Sequence, residues 1–180
     1  MSKLLLFNKP FGVLSQFTGE EDQKTLSSYI FQKKFYAAGR LDKDSEGLLL
    51  LTNDGKLQQR IADPAFNPGK TYIAQVDGLI TDAAIDKLQS GIKLKDGITQ
   101  PAQASKIDEP ATLWKREPPI RFRENIPTSW LKITLYEGKN RQVRRMTAAA
   151  GFPTLRLVRI AIGSWNLNDL EPGHYLECEV

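Results

Sequence analysis

Histidine and cysteine are nearly absent from this chain of 180 residues, which has one of each, His174 and Cys178. A single cysteine excludes a disulfide framework and any cysteine-ligated zinc or iron–sulfur site. A single histidine is too few for a histidine-based metal site or for a serine or cysteine triad of the usual kind. No stretch approaches the roughly 20 apolar residues that a membrane-spanning helix needs. Met1 leads into a strand-like run, not into a charged stub followed by a cleavable apolar segment. The expectation is a cytoplasmic protein with no membrane partner and no metal.

The composition is that of a soluble globular domain, 41% hydrophobic and 26% charged. A chain of this length buries roughly 70% of its unfolded surface, enough for a core that needs no staples. The net charge of +4, from 25 Lys+Arg against 21 Asp+Glu, is a mild bias. Its distribution is more informative. Acidic residues crowd Glu20 to Asp22 and Asp42 to Glu46, whereas Lys132, Lys139, Arg141, Arg144, Arg145, Arg156 and Arg159 face only Glu137 in the stretch 132–159. That predicts one basic face, of the kind that binds phosphate.

Hydrophobic periodicity predicts a buried strand at Leu4 to Phe7 and a second short one through Val13, Leu14 and Phe17. Thr25 is placed to cap a helix running to about Lys34. The run Leu48 to Leu51 is a buried strand, followed by a turn and a helix from Lys56 to about Ala62. Lys70 to Val76 alternates as a strand, Asp82 to Gln89 reads as a short amphipathic helix, and 92–108 alternates in short pieces. The proline-rich stretch 109–129 is a long connection and a candidate binding loop. Trp130 to Tyr136 is a strand, Arg141 to Ala150 a helix closed by Gly151, and Thr154 to Ile162 a strand. Mixed elements with hairpin-length connections predict an α+β domain around a mixed, mostly antiparallel central sheet with flanking helices.

Three apparent motifs fail on inspection. Asp42, Asp44, Glu46 and Gly47 imitate the start of a calcium loop, but the residue that should be a bidentate glutamate is Asn53, and leucines intervene. Gly69-Lys70-Thr71 imitates the end of a phosphate loop, but Pro64 stands where the upstream glycine belongs. His174 has no cysteine, serine motif or second histidine to act with, and reads as a surface or packing residue.

What remains is the segment from Gly39 to Thr52. A polar turn entering a core strand accounts for its glycines and leucines. It accounts less well for an arginine and three carboxylates within seven residues at the mouth of the most hydrophobic strand, where charge is costly to hold.

This segment resembles the signature of the pseudouridine synthases, in the branch acting on ribosomal RNA, with Asp42 in the place of the catalytic aspartate. Phe7-Asn8-Lys9-Pro10-Phe11-Gly12-Val13 is similar to the family's first motif and Lys70-Thr71-Tyr72 to its base-stacking motif. The run from Glu137 to Met146 resembles its basic helix motif, and Leu155 to Gly163 its final motif. All occur in family order and together span nearly the whole chain. The resemblance implies the family's catalytic fold, a single domain over residues 1–180 with an active-site cleft that two subdomains would flank. Relatives of this branch usually carry a small RNA-binding domain before the first motif. Here the motifs begin within ten residues of Met1, so either the catalytic domain alone recognises RNA or the chain is truncated.

The implied activity is conversion of a uridine in large-subunit (23S) ribosomal RNA to pseudouridine. It breaks the N1–C1′ bond, rotates the base and rejoins it through C5, with no redox step and no cofactor. Asp42 would attack the ribose C1′ or the base C6, or remove a ribose proton. Arg144 matches the arginine that pairs with the aspartate, the alternative being a phosphate contact. Tyr72 would stack on the extruded uracil, Arg40 would fill the gap left in the RNA, and Leu157 would floor the base pocket, with ordinary core packing as the competing reading for Tyr72 and Leu157. Lys9, Lys139, Arg141, Arg145, Arg156 and Arg159 are candidate phosphate contacts, with solvated surface as the alternative for at least half of them. The expected partner is ribosomal RNA, bound by a monomer. Two other classes compete: a ribosome-assembly module without turnover, whose mark would be a lost aspartate, and an N-glycosylase, which would need a second carboxylate to activate water.

Overall fold

Two leucine-rich runs buried on both faces frame the N-terminal part of the chain in the computed structural model, which describes residues 1–180. They are β1 (Lys3–Lys9) and β3 (Glu46–Thr52), with β2 (Tyr36–Ala38) between them in sequence. There follow α1 (Gly55–Ala62), β4 (Lys70–Asp77), α2 (Asp82–Ser90), β5 (Lys93–Leu94), β6 (Gly97–Ile98), β7 (Gln103–Ile107) and β8 (Thr128–Leu135). The chain ends with α3 (Gln142–Ala149), β9 (Thr154–Ile162), β10 (Trp165–Asn166) and β11 (Tyr175–Glu179). The fold is α+β and its strand pairs are mostly antiparallel. Two compact units divide it, residues 1–67 with 159–180, and residues 68–158.

In the first unit β1 lies between β11 and β3, with Phe7 opposite Leu49 and Lys9 opposite Gly47. The odd-numbered positions Leu5, Phe7, Leu49 and Leu51 join Val13, Leu26, Ile30, Phe35 and Leu41 in one core, as the two-residue side-chain period of strands requires. Leu4, Leu6, Leu48 and Leu50 face the other way and are equally buried. Coverage of both faces is why these strands read as continuous apolar runs. Helix α1 starts where Asp54 accepts hydrogen bonds from the amides of Lys56 and Leu57. Ser2 also bonds the Asp54 carboxylate, and this contact is the main reason its pKa lies below the ordinary aspartate value.

Two expectations are corrected in this unit. The segment after Thr25 forms a single 3-10 turn, Leu26–Ser28, in place of a helix to Lys34. Thr25 does cap it, but Ser27, Ser28, Tyr29, Ile30 and Phe31 are weak helix formers, and Lys34 takes a left-handed φ of 66°. Burial of Leu26, Ile30 and Phe35 in the core settles the path instead. The strand expected at Val13 to Phe17 reduces to one bridge between Val13 and Lys24.

In the second unit β8 pairs with both β4 and β7, setting Tyr72 opposite Ile133 and Ala104 opposite the same residue from the other side. Helix α2 is capped by Thr81 and ended by Gly91 at φ 103°. Ala84, Ile85 and Leu88 of α2 and Val143 and Met146 of α3 complete a core with Ala74, Val76, Leu131, Ile133 and Leu157. Strand β9 contributes residues 154–158 to this unit and 159–162 to the first.

Candidate active site

The segment carrying Asp42 is pinned along its length within the first unit. Gly39 turns the chain at φ 82° after β2, which leaves Arg40 exposed and buries Leu41. The buried Ser15 hydroxyl donates to the Leu41 carbonyl at 2.6 Å and accepts from the Leu41 amide at 3.1 Å. One residue beyond, half-buried Asp42 opens a tight turn in which its carbonyl accepts the Ser45 amide at 3.0 Å. The Lys43 carbonyl accepts the Gly12 amide at 2.8 Å. Arg159 brackets the segment, donating from Nε to the Leu48 carbonyl at 2.8 Å and from Nη1 to the Arg40 carbonyl at 3.3 Å. A backbone segment held this way has little conformational freedom to lose when a ligand arrives.

The same region concentrates buried charge. Lys9 is 0% exposed, Glu46 1% and Arg159 4%, with half-buried Asp44 and Asp42 beside them. The Lys9 ammonium donates to the carbonyls of Val13 at 2.8 Å, Pro10 at 2.9 Å and Lys43 at 3.4 Å. Burial pushes its pKa down to about 7, against the opposing pull of Glu46, Asp44 and Asp42, while Arg159 lowers it further.

Tyr72, Leu157, Arg144 and the remaining basic candidates belong to the second unit. Tyr72 is half-buried on β4, packed against the core that includes buried Leu157. Arg144 lies half-buried on α3. The loop before α3 is closed by Gln142, which accepts the Lys139 amide at 3.1 Å and donates to Glu137 at 2.6 Å. Lys139 and Arg141 are exposed, and Arg141 caps the helix in the left-handed region at φ 51°. Arg145 donates to Asp96 at 2.8 Å and to the Asn140 carbonyl at 2.9 Å.

Three of the candidate phosphate contacts are turned inward. Lys9 and Arg159 donate to backbone carbonyls of the Asp42 region, as above. Arg156, 7% exposed, donates to the Trp114 carbonyl at 2.8 Å and lies 5.8 Å from the centre of the Trp114 ring. At these three positions the charge is directed to backbone carbonyls in this structure. Sequence reasoning missed Ser15, and it quoted Gly12 and Gln142 within motifs without giving either a role. Nothing local marks Ser15, whose partner is 26 residues away. Gln142 directly follows the cap residue Arg141, so it is not at the capping-box position, and its bond to the Lys139 amide was not signalled locally.

Known proteins resemble the chain throughout. Residues 3–149 match the family model described as RNA pseudouridylate synthase. Ribosomal large subunit pseudouridine synthase E of Vibrio parahaemolyticus is 56% identical over 178 residues, covering 99% of this chain and 74% of that protein. The protein of the same name from Xanthomonas campestris is 50% identical, covering 96% and 93%. Among solved structures, a pseudouridylate synthase crystal structure matches with a TM-score of 0.80 at 28% identity, over 99% of this chain and 71% of that one.

Proposed function

The chain belongs to the RNA pseudouridylate synthase family, and from that membership we propose that it isomerises one uridine of 23S ribosomal RNA to pseudouridine, with Asp42 as the reacting carboxylate. The observation that carries the assignment is the pinned turn at Asp42, fixed by Ser15, Gly12 and Arg159 in a region where buried charge is already organised. The reaction exchanges the N1–C1′ bond for a C5–C1′ bond and moves the C5 proton to N1. Atoms balance without an oxidant, a reductant or a cofactor.

Each route open to Asp42 requires the ionised carboxylate: attack at the ribose C1′, attack at the base C6, or removal of a ribose proton. We assign Arg144 to hold that charge, Tyr72 to stack on the extruded uracil, Leu157 to border the base, and exposed Arg40 to take the place of the flipped nucleotide. Lys139 and Arg141 contact phosphate. Lys9, Arg156 and Arg159 act through the backbone they hold. The enzyme works as a monomer in the cytoplasm. No helix is long and apolar enough to cross a membrane.

The test is incubation of the protein with unmodified 23S ribosomal RNA and mapping of pseudouridine by mass spectrometry. One modified position is expected, lost in Asp42→Asn with RNA affinity and melting temperature retained. Pseudouridine formed by Asp42→Asn would remove Asp42 from the chemistry, and free uracil as the product would identify a glycosylase instead.

A further inference from the structure

The β5–β6 hairpin lies in the second unit and plays no part in the chemistry above. Its base is fixed: the buried Thr99 hydroxyl accepts the Ile92 amide at 2.9 Å, and the Thr99 amide donates to the Ile92 carbonyl at 3.0 Å. Gly91 makes this closure possible, because a Cβ there would stand 2.5 Å from the Thr99 carbonyl oxygen. Ile92 and Leu94 pack against the core. The strand period therefore turns Lys93 outward, and its cross-strand partner Ile98, 71% exposed, shares that face. Lys95 is exposed in the two-residue turn between Leu94 and Gly97.

The acidic residue of that turn is spoken for. Asp96 forms an ion pair with Arg145 of α3 at 2.8 Å, and this bond is the main cause of its lowered pKa. Arg145 in turn holds the Asn140 carbonyl, so one guanidinium ties the hairpin tip to the loop that carries Lys139 and Arg141. No ion pair engages Lys93 or Lys95. A carboxylate that would cancel the local charge is thus drawn to one side, while the two lysines stand clear in solvent.

We propose that the β5–β6 hairpin is an RNA-docking element in which Lys93 and Lys95 contact phosphates, continuing the basic loop at Lys139 and Arg141, with the Asp96–Arg145 pair as the brace that sets their relative position. This rests on the RNA-modifying activity proposed above. Flexible ammonium groups around a single exposed isoleucine suit a phosphate backbone and a ribose or base edge. An acidic protein would need a larger apolar centre than this face offers.

The experiment measures binding of transcribed 23S ribosomal RNA over a salt series, alongside pseudouridine formation. Lys93→Ala with Lys95→Ala should weaken binding and lower the slope of log affinity against log salt by about two, one for each phosphate that a lysine no longer neutralises. The melting temperature and the rate at saturating RNA should stay the same. Lys93→Arg with Lys95→Arg should restore the slope. Lys24→Ala with Lys56→Ala removes the same charge from exposed sites in the other unit and should leave it unchanged. An unchanged slope in the hairpin variant, with wild-type binding and turnover intact, overturns the docking element and spares the proposed function. Wild-type protein that neither binds nor isomerises the RNA overturns both. An equal loss in the Lys24 and Lys56 control reduces the effect to net charge and overturns the proposal. So does polyglutamate binding as tightly as RNA with the same dependence on the two lysines, which would point to an acidic protein.

Discussion

Gly47 and Arg159 are packed backbone against side-chain position: a Cβ on Gly47 would stand 2.2 Å from the Arg159 carbonyl oxygen and 2.8 Å from its nitrogen. Gly47 also holds φ at 108°, where other residues are strained. Contact with backbone cannot be relieved by turning a rotamer. The side chain of the same arginine brackets the Asp42 segment, so the close approach and the path of that segment's backbone are one arrangement.

Gly47→Ala is therefore expected to cost on the order of 2–4 kcal/mol of stability, from strain and enforced separation of the backbones. Thermal melting measures it. Activity per folded molecule should fall as well, because Arg159 cannot retreat without releasing the Arg40 and Leu48 carbonyls. A variant that melts like wild type would show that the strands separate at no cost.

Ser15→Ala leaves the Leu41 amide and carbonyl without the hydroxyl that serves both. Leaving such groups unsatisfied at a buried site costs roughly 1–3 kcal/mol. The sharper readout is kinetic: single-turnover rate should drop while RNA affinity holds, since Leu41 precedes Asp42 and nothing in the change touches a phosphate. Ser15→Thr, which keeps the hydroxyl, should recover part of the rate.

Lys9 gives a pH signature. Its ordinary pKa is 10.5 and burial lowers it to about 7, so between these values the unfolded chain holds a proton that the folded one has released. Stability then rises with pH across that window, by up to about 1.4 kcal/mol per pH unit for this group. Below about pH 7 both states are protonated and the dependence vanishes. Denaturant unfolding of wild type and Lys9→Met from pH 6 to 10 isolates the contribution as a difference between the curves, with wild type gaining on the variant as pH rises. A constant difference would show that Lys9 titrates at its ordinary value.

Tyr72 is half-buried against the core, so packing as well as the proposed stacking bears on its replacement. Tyr72→Phe keeps the ring and should bind RNA and fold as wild type does. Tyr72→Leu should melt lower by an amount worth about 1–3 kcal/mol and, beyond that, lose rate per folded molecule because a uracil has no ring to stack on. Melting curves and single-turnover rates on the two variants separate these effects. A destabilised Tyr72→Leu with a normal rate per folded molecule would make Tyr72 a core residue only.

Local pattern was enough wherever an element's own residues decide its state. The leucine runs of β1 and β3, the helical stretches of α1 and α2, and the alternation of β4 and β8 are all legible, because hydrophobic period acts within a few residues. The motif around Asp42 is legible for the same reason, being contiguous. The 3-10 turn after Thr25 and the short strands β10 and β11 were not, since weak local preference there is overruled by packing and by pairing with distant strands such as β1. The basic residues mark the limit most plainly. Sequence states that Lys9, Arg156 and Arg159 are charged, but where a charge points depends on its partners, and Arg159 finds its carbonyls 111 and 119 residues away. Chain folding alone brings such groups together, because a buried guanidinium must find acceptors for its donors wherever the tertiary structure supplies them.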